Sequence, residues 1–125
     1  MLSAVRSVGI YAGDQERSKK FFTETLGFEL VQDTPMGDGP GAARWIEVPP
    51  DGNLVLVLFT PEGDQDRIGT FSNVLLECDD IQATHKELAG RGVEFAEEPR
   101  REFWGWWAVF KDPDGNSYGL GQRGE

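Results

Sequence analysis

The chain has 125 residues, which is the size of one domain, and no apolar run reaches the roughly 18 residues that a membrane span needs. Twelve Lys and Arg against 22 Asp and Glu give a net charge of −10, which repels nucleic-acid phosphates and favours a cationic ligand. The single cysteine, Cys78, excludes an internal disulfide, and without a recognisable signal peptide we expect a cytoplasmic protein.

The first half of the chain reads as a strand, a helix and three further strands. Asp14 is the predicted N-cap of a helix over residues 15–26, and Gly27 ends that helix in the left-handed conformation. Composition predicts a loop at residues 33–42, and the PPDG sequence at 49–52 predicts a turn. Apolar alternation predicts the four strands at residues 4–12, 28–32, 43–48 and 53–59.

The second half repeats this order after a polar linker at residues 61–70. Asp80 is the predicted N-cap of a helix that ends at residue 90, and the DPDGN sequence at 112–116 forms a turn. The strands are predicted at residues 71–78, 93–97, 105–111 and 117–121.

The two halves are related by an internal repeat. Residues 7–28 (SVGIYAGDQERSKKFFTETLGF) and 73–95 (NVLLECDDIQATHKELAGRGVEF) both run from an apolar strand through an Asp and a helix to a Gly and another strand. Asp14 and Asp80 lie 66 residues apart. A repeat of this size predicts two copies of one β-α-β-β-β unit packed together. We therefore expect one α+β domain over residues 1–125, with modules at about 4–60 and about 71–121.

These motifs resemble those of the vicinal oxygen chelate superfamily, which includes glyoxalase I, extradiol dioxygenases, methylmalonyl-CoA epimerase and the fosfomycin- and bleomycin-resistance proteins. The resemblance is carried by VGIYAGDQERSKKFFTETLGF in the first half and by DDIQATHKELAGRGVEF with FKDPDGNSYGL in the second. It covers essentially the whole chain. It implies paired modules whose curved mixed sheets enclose a cleft, in a homodimer whose clefts are built by one chain or by both.

The resemblance also identifies four positions that hold a metal ion in many members of the family. A divalent ion needs imidazole, carboxylate or thiolate donors to offset its dehydration, and the residues at these positions supply none of them. The only histidine, His85, has the spacing of a packed residue of the second helix. We therefore expect no metal and no cofactor. The four positions are Ser7, Val57, Asn73 and Gly119.

The same four positions predict which side chains face the cleft, because side chains alternate along a strand. Counting by twos gives an apolar and aromatic lining with two small polar groups, which suits a flat organic molecule. The predicted lining residues on these strands are Ser7, Gly9, Tyr11, Val55, Val57, Phe59, Phe71, Asn73, Leu75, Ser117, Gly119 and Gly121.

Tryptophans extend this predicted ligand site. By resemblance to the fosfomycin-resistance branch, Trp107 and Val109 face the cleft, while Trp106 faces the opposite way and packs under the helices. Trp104 precedes the same strand, where it either covers a ligand or seals a dimer contact. Trp45 is a weaker candidate for the same wall.

Two functions fit these features. The first is a metal-free, dimeric binding protein that sequesters a planar aromatic antibiotic or toxic metabolite, as bleomycin-resistance proteins do. The second is an enzyme of the same family, either without a metal or with an atypical metal site. General acid–base catalysis needs a titratable group in the cleft, and the candidates form no pair at a telling spacing, so we expect binding and assign no catalytic residue. Those candidates are Tyr11, Glu47, Glu77 and Glu102.

Overall fold

The computed structural model describes residues 1–50, 54–70 and 72–123. The chain forms two compact units, Met1–Ile68 and Gly69–Glu125, and within the described residues each has four strands and one α-helix in the same order. The predicted fold class, α+β with two β-α-β-β-β modules, is confirmed. Within the described ranges, no helix is long and apolar enough to cross a membrane.

The strands of the first unit are β1 (Ser7–Ile10), β2 (Gln32–Pro35), β3 (Arg44–Glu47) and β4 (Val55–Leu58). They form a sheet with the order β1-β4-β3-β2, in which β1 and β4 are parallel and the other neighbours are antiparallel. Ile46, Leu56 and Leu58 are fully buried in this unit, together with Phe22 from the helical segment.

The strands of the second unit are β5 (Val74–Cys78), β6 (Glu94–Glu102), β7 (Gly105–Lys111) and β8 (Ser117–Gln122). Their sheet has the equivalent order, β5-β8-β7-β6, with β5 and β8 parallel. On its buried face Phe110 stacks on Tyr118, with ring centroids 5.4 Å apart, beside Ala108 and Leu120.

The helix of the first unit differs in part from the prediction. Asp14 caps α1 (Gln15–Lys20), and its carboxylate accepts a hydrogen bond from the Arg17 amide at 3.1 Å. The helical segment extends nearly to the predicted residue 26, but only its first part is α-helical, because Phe21–Thr25 form a π-helical turn. The Thr23 hydroxyl donates to the Lys19 carbonyl at 2.8 Å, a side-chain bond of the kind that bends helices.

The helix of the second unit, α2 (Ile81–Gly90), agrees with the prediction. The Asp80 carboxylate caps it through the Ala83 amide at 3.1 Å. Gly27 and Gly92, which follow the two helical segments, have φ values of +83° and +91°, so both adopt the left-handed conformation expected of a glycine at a helix end.

The edge strands were the least accurately predicted elements. β2 lies at Gln32–Pro35, in what the sequence indicated as a loop, rather than at residues 28–32. β6 extends to Glu102, well beyond the predicted end at residue 97, and its register against β7 shifts twice. Both strands are polar edge strands, and Pro99 is tolerated in β6 because an edge strand can leave a residue without its ladder hydrogen bond. Apolar alternation therefore does not identify them.

The DPDGN motif forms a turn around one buried carboxylate. Asp112, only 5% exposed, accepts hydrogen bonds from the amides of Asp114 and Asn116, from the Asn116 side chain, and from the Tyr118 hydroxyl at 2.5 Å. Burial, followed by the charge of Asp112, raises the pKa of Tyr118, which keeps the phenol a donor. The motif that carries the family resemblance is therefore structural.

A second polar network, in the first unit, is built from ion pairs. The Arg44 guanidinium donates to both oxygens of Asp33 at 2.9 Å, and Lys19 donates to one of them at the same distance. Arg44 also pairs with Glu16 at 2.8 Å. The Arg44 hydrogen bonds lower the pKa of Asp33 from its usual 3.8 to about 2. This network ties the edge strand β2 to β3 and α1.

Candidate functional site

The two faces of the second sheet differ in what covers them. Strand pairing places Leu75, Gly119 and Val109 side by side, and beside them Trp107 and Gly121. These residues are half-buried or exposed, whereas the opposite face carries the buried core of the unit. Leu75 is 64% exposed. We call the first surface the open face of the second unit.

Trp107 lies over Gly119 on this open face. A β-carbon at position 119 would overlap Cη2 of the Trp107 ring, and would lie 3.1 Å from Cζ2 of that ring and 3.1 Å from Cδ1 of Leu75. Any side chain at position 119 therefore competes with the indole for the same space. The glycine is what allows Trp107 to lie where it does.

Trp104 meets Trp107 at the start of β7. Their ring centroids are 5.6 Å apart at an interplanar angle of 72°, an edge-to-face contact that aromatic rings favour. Trp104 is 55% exposed. The two rings, with Leu75, Glu77 and Gly121, line a hollow of about 330 Å³. Glu77 is the charged group of this hollow and pairs with Arg123 at 3.5 Å.

A second hollow lies on the other side of Trp107 and Leu75. Its volume is about 380 Å³, and its lining includes Asn73, Val109 and Gly119. Trp107 and Leu75 line both hollows. They therefore form a ridge that divides the open face into two compartments.

The equivalent face of the first unit is organised differently. The Trp45 indole N–H donates to the Glu47 carboxylate at 2.9 Å, and the Trp45 ring packs on Phe59 with centroids 5.6 Å apart. Val57, paired with Glu47 and Gly9, is only 4% exposed. The Tyr11 hydroxyl donates to Asp64 at 3.3 Å. The side-chain polar groups of Tyr11, Trp45 and Glu47 are thus already engaged within the unit.

A hollow of about 260 Å³ in the first unit is bordered by Phe59, Thr60 and Gln15. The Gln15 amide group donates to the carbonyls of Arg44 and Leu58 at 2.6 and 2.7 Å, and its oxygen accepts from the Arg44 amide at 3.0 Å. The Thr60 hydroxyl bridges the backbone of Ala12. The side chains of Gln15 and Thr60 therefore use their polar atoms in hydrogen bonds to the main chain of this unit. This makes the hollow a weaker candidate for a ligand site than the open face of the second unit.

The predicted ligand residues fall into two groups. The structure brings together Asn73, Trp104, Trp107, Val109 and Gly119 on the open face of the second unit. Ser7, Tyr11, Trp45, Val57 and Phe59 belong to the first unit, where Ser7 is half-buried at the start of β1. Phe71 lies outside the described residues. Contact of either group with a ligand stays a prediction.

Strand alternation also placed Leu75 and Gly121 on the predicted lining, because Leu75 shares the face of Asn73 and Gly121 shares the face of Gly119. Both residues line hollows of the open face. The sequence did not indicate that Leu75 is 64% exposed, since a leucine in an apolar strand is typical of a core.

The residues at the four family metal positions do not fit a divalent ion. Ser7, Val57, Asn73 and Gly119 offer no imidazole, carboxylate or thiolate, and the Trp107 indole takes the space of a side chain at the last position. Across the described ranges, no three His, Cys, Asp or Glu side chains come together as a metal site. His85 packs edge-on against Phe95, with centroids 4.6 Å apart.

The candidates for acid–base chemistry are each paired with another group. The Tyr11 hydroxyl donates a hydrogen bond to Asp64, and the Glu47 carboxylate accepts one from the Trp45 indole. Glu77 forms an ion pair with Arg123. Glu102 accepts from Arg100 at 2.5 Å. Burial raises the pKa of the Cys78 thiol, which disfavours the reactive thiolate. None of the four acid–base candidates pairs with another of the four.

Comparison with known proteins places these features in context. The family model of the glyoxalase/bleomycin resistance protein/dioxygenase superfamily matches residues 4–119. YetH, an uncharacterized protein of Bacillus subtilis (strain 168), is 34% identical over 119 residues, which cover 94% of this chain and 97% of YetH.

Solved structures agree with that match. A member of the same superfamily from Sphaerobacter thermophilus DSM 20745 has a TM-score of 0.85 and 32% identity, with 98% of both chains covered. TnmS3, an antibiotic binding protein from Streptomyces sp. CB03234, has a TM-score of 0.76 and 38% identity, with coverage of 97% of this chain and 96% of TnmS3.

Proposed function

The chain belongs to the glyoxalase/bleomycin resistance protein/dioxygenase superfamily, as its repeat and DPDGN motif predicted, and we propose that it binds a planar aromatic antibiotic or toxic metabolite without altering it. The observation that carries the proposal is the Trp104–Trp107 pair beside a hollow on the open face of the second unit. The similarity to TnmS3, an antibiotic binding protein, supports the same reading. The proposed location is the cytoplasm.

The physical basis of binding is stacking on exposed indole rings. Hollows of about 330 and 380 Å³ are of the size that small-molecule sites use. Contact with an indole stabilises an aromatic ligand by roughly 0.5–1.5 kcal/mol beyond the burial of its area. Trp104 presents more than half of its surface for such contact.

The charges of the chain favour a ligand with positive charge. Glu77 lies in the same hollow as the two tryptophans, and the chain carries a net charge of −10. A cation above an indole face gains about 0.5–2 kcal/mol from the ring quadrupole. Because Glu77 already pairs with Arg123, the ligand must compete with that guanidinium for the carboxylate.

We also propose that the protein is a homodimer whose partner covers the open face and helps to enclose the ligand. Phe103 is 99% exposed and precedes Trp104 in the chain, and Trp104 shares a hollow with the exposed Leu75, so this surface is unusually apolar. Light scattering at micromolar concentration is expected to give twice the chain mass of 13.9 kDa. A mass of 13.9 kDa would contradict the dimer.

The experiment that tests the binding function is a tryptophan-fluorescence screen of planar antibiotics, quinones and flavins. Compounds that stack on Trp104 or Trp107 are expected to quench emission and to bind with micromolar affinity or better. Each bound compound is then released and examined by mass spectrometry. Recovery of unchanged compounds supports the proposal, whereas a modified product would show an enzyme and overturn it.

A matched pair of variants assigns the quenching to the site. Trp107→Phe removes one indole of the open face, and Trp106→Phe changes its neighbour, which borders the same hollow but whose side chain points to the other face of the strand. Quenching is expected to fall much more in Trp107→Phe than in Trp106→Phe, with the remainder coming from Trp104. The reverse pattern would move the binding surface to the opposite face of β7.

A further inference from the structure

We propose that Gly119 is a positioning residue for this binding site, because the absence of its side chain creates the space in which the Trp107 indole lies. The inference rests on the proposed binding function, but it also makes a claim about the ligand-free protein. It assigns a role to a glycine at a position where many members of the family carry a metal ligand. In this chain the space of a side chain at position 119 is occupied by the ring of Trp107.

The strand register explains why one glycine matters more than its neighbour. Trp107 pairs directly with Gly121, and its side chain leans along β8 to reach Gly119, two residues away. Diagonal contact of this kind is common for long side chains in sheets. A β-carbon at Gly119 overlaps the Trp107 ring, but one at Gly121 has as its nearest atom the Trp106 carbonyl oxygen at 3.9 Å, an ordinary contact.

Neither glycine is required by its backbone conformation. The positive-φ glycines of the described residues do not include Gly119 or Gly121, so alanine fits the backbone at both positions. Any difference between the two substitutions therefore reports on the space above each residue. Gly121→Ala is the matched control for Gly119→Ala.

Displacement of the indole has consequences for both hollows. Trp107 and Leu75 form the ridge between them, and Trp107 also holds Trp104 edge-on at 5.6 Å. A side chain at position 119 pushes the ridge away from the sheet and breaks the Trp104 contact. Gly119 thereby determines where a ligand ring can stack.

The first test needs no ligand. Two indoles in contact give an exciton signal in far-ultraviolet circular dichroism, and Trp107→Phe defines the spectrum without it. Gly119→Ala is expected to lose most of this signal, whereas Gly121→Ala is expected to keep it. An unchanged signal in Gly119→Ala would overturn the proposal.

The second test asks whether the effect on binding acts through Trp107. With a planar compound identified by quenching of the unaltered protein, Gly119→Ala is expected to weaken binding about tenfold or more, and Gly121→Ala less than about threefold. In a Trp107→Phe background the shorter ring removes the overlap, so adding Gly119→Ala is expected to change affinity by less than about twofold. Equal losses in both backgrounds would contradict a role through the indole.

The two tests separate this inference from the proposed function. If no planar compound binds but Gly119→Ala abolishes the exciton signal, the proposed function fails. The inference that Gly119 positions the Trp107 indole is then still supported. If compounds bind and Gly119→Ala changes neither signal nor affinity, the function stands and the inference fails. Should Gly119→Ala alone not fold, the Trp107→Phe double variant is expected to fold, and its failure would overturn the proposal.

Discussion

The two units repeat one topology but use the equivalent sheet face in different ways. In the first unit Val57 is buried and the Trp45 indole N–H is bonded to Glu47. In the second unit Trp107 rests over Gly119, and Leu75 beside it is exposed. The repeat thus preserves the strands and helices of each unit. The residues on the sheet face determine whether that face is covered by its own side chains or is open to a ligand.

The framework residues are those that the repeat keeps in register. Asp14 and Asp80 cap the two helices through the same kind of bond, at 3.1 Å in both cases. Gly27 and Gly92 end the helical segments with positive φ. These roles depend on local geometry alone, so they recur in both copies.

The largest expected effect contrasts the polar networks of the two units. Asp112→Ala is expected to lower the free energy of unfolding by about 3–5 kcal/mol, because several buried donors around the DPDGN turn lose their hydrogen-bond acceptor. Asp33→Ala in the first unit is expected to cost about 1–2 kcal/mol, since its network is partly exposed to water. Urea titrations of both variants measure the difference. An equal or larger loss for Asp33→Ala would break the contrast.

The next effect concerns ligand affinity. Trp107→Ala is expected to weaken binding of a planar compound by about 2–4 kcal/mol, the range for a well-packed aromatic anchor. Trp45→Ala, in the self-contained face of the first unit, is expected to cost less than about 1 kcal/mol. Calorimetric titration of both variants makes the comparison. A larger loss for Trp45→Ala would move the binding surface to the first unit.

A third expectation follows from the lowered pKa of Asp33. Hydrogen bonds from Arg44 hold that pKa at about 2, below the usual 3.8, so ionised Asp33 stabilises the fold fully above about pH 4. That contribution is lost as the pH falls from 3.8 towards 2. Because Asp33 is 22% exposed, water and salt reduce it to about 1–2 kcal/mol.

Asp33→Asn measures this contribution directly. The stability difference between the unaltered protein and Asp33→Asn is expected to be largest near neutral pH, to shrink below pH 4 and to be smaller at high salt. Asp33→Asn keeps the size of the side chain and removes its charge. A stability difference that persists unchanged at pH 2 would show that the charge of Asp33 is not what stabilises the network.

The smallest expected effect tests whether the first unit contributes to binding at all. Asn73→Ala removes a polar group that borders the second hollow, and it is expected to weaken binding by about 0.5–1.5 kcal/mol, the value of one neutral hydrogen bond. Ser7→Ala, its counterpart in the first unit, is expected to change affinity by less than about 0.5 kcal/mol. Calorimetric titration compares the two variants, and a clear loss from Ser7→Ala with none from Asn73→Ala would show that the first unit contributes to the site.

Much of the fold was predictable because its signals are local. The Asp caps, the helix-ending glycines and the apolar strands β4 and β7 follow from residue type and spacing. The prediction placed β2 too early in the chain and ended β6 too soon. Both are polar edge strands that pair through the main chain with one neighbour, β3 or β7, so their sequences carry little apolar pattern. The π-helical turn at Phe21–Thr25 has no clear sequence signature.

Less of the candidate site was predictable. Strand alternation correctly grouped Trp107 and Val109 on one face and Ala108 and Phe110 on the other. The contact of Trp107 with Gly119 depends on the side-chain rotamer and on a diagonal register, neither of which the sequence specifies. The exposure of Leu75 likewise depends on tertiary packing.

The central claim is that the open face of the second unit, and not its counterpart in the first, receives the ligand. Nuclear magnetic resonance of the four tryptophan indole N–H groups, each assigned by a Trp→Phe variant, tests it during titration with a planar compound that quenches emission. The account predicts that the Trp107 resonance shifts most and Trp104 next, with smaller changes at Trp45 and Trp106. A dominant shift of Trp45 with Trp107 unmoved would contradict it.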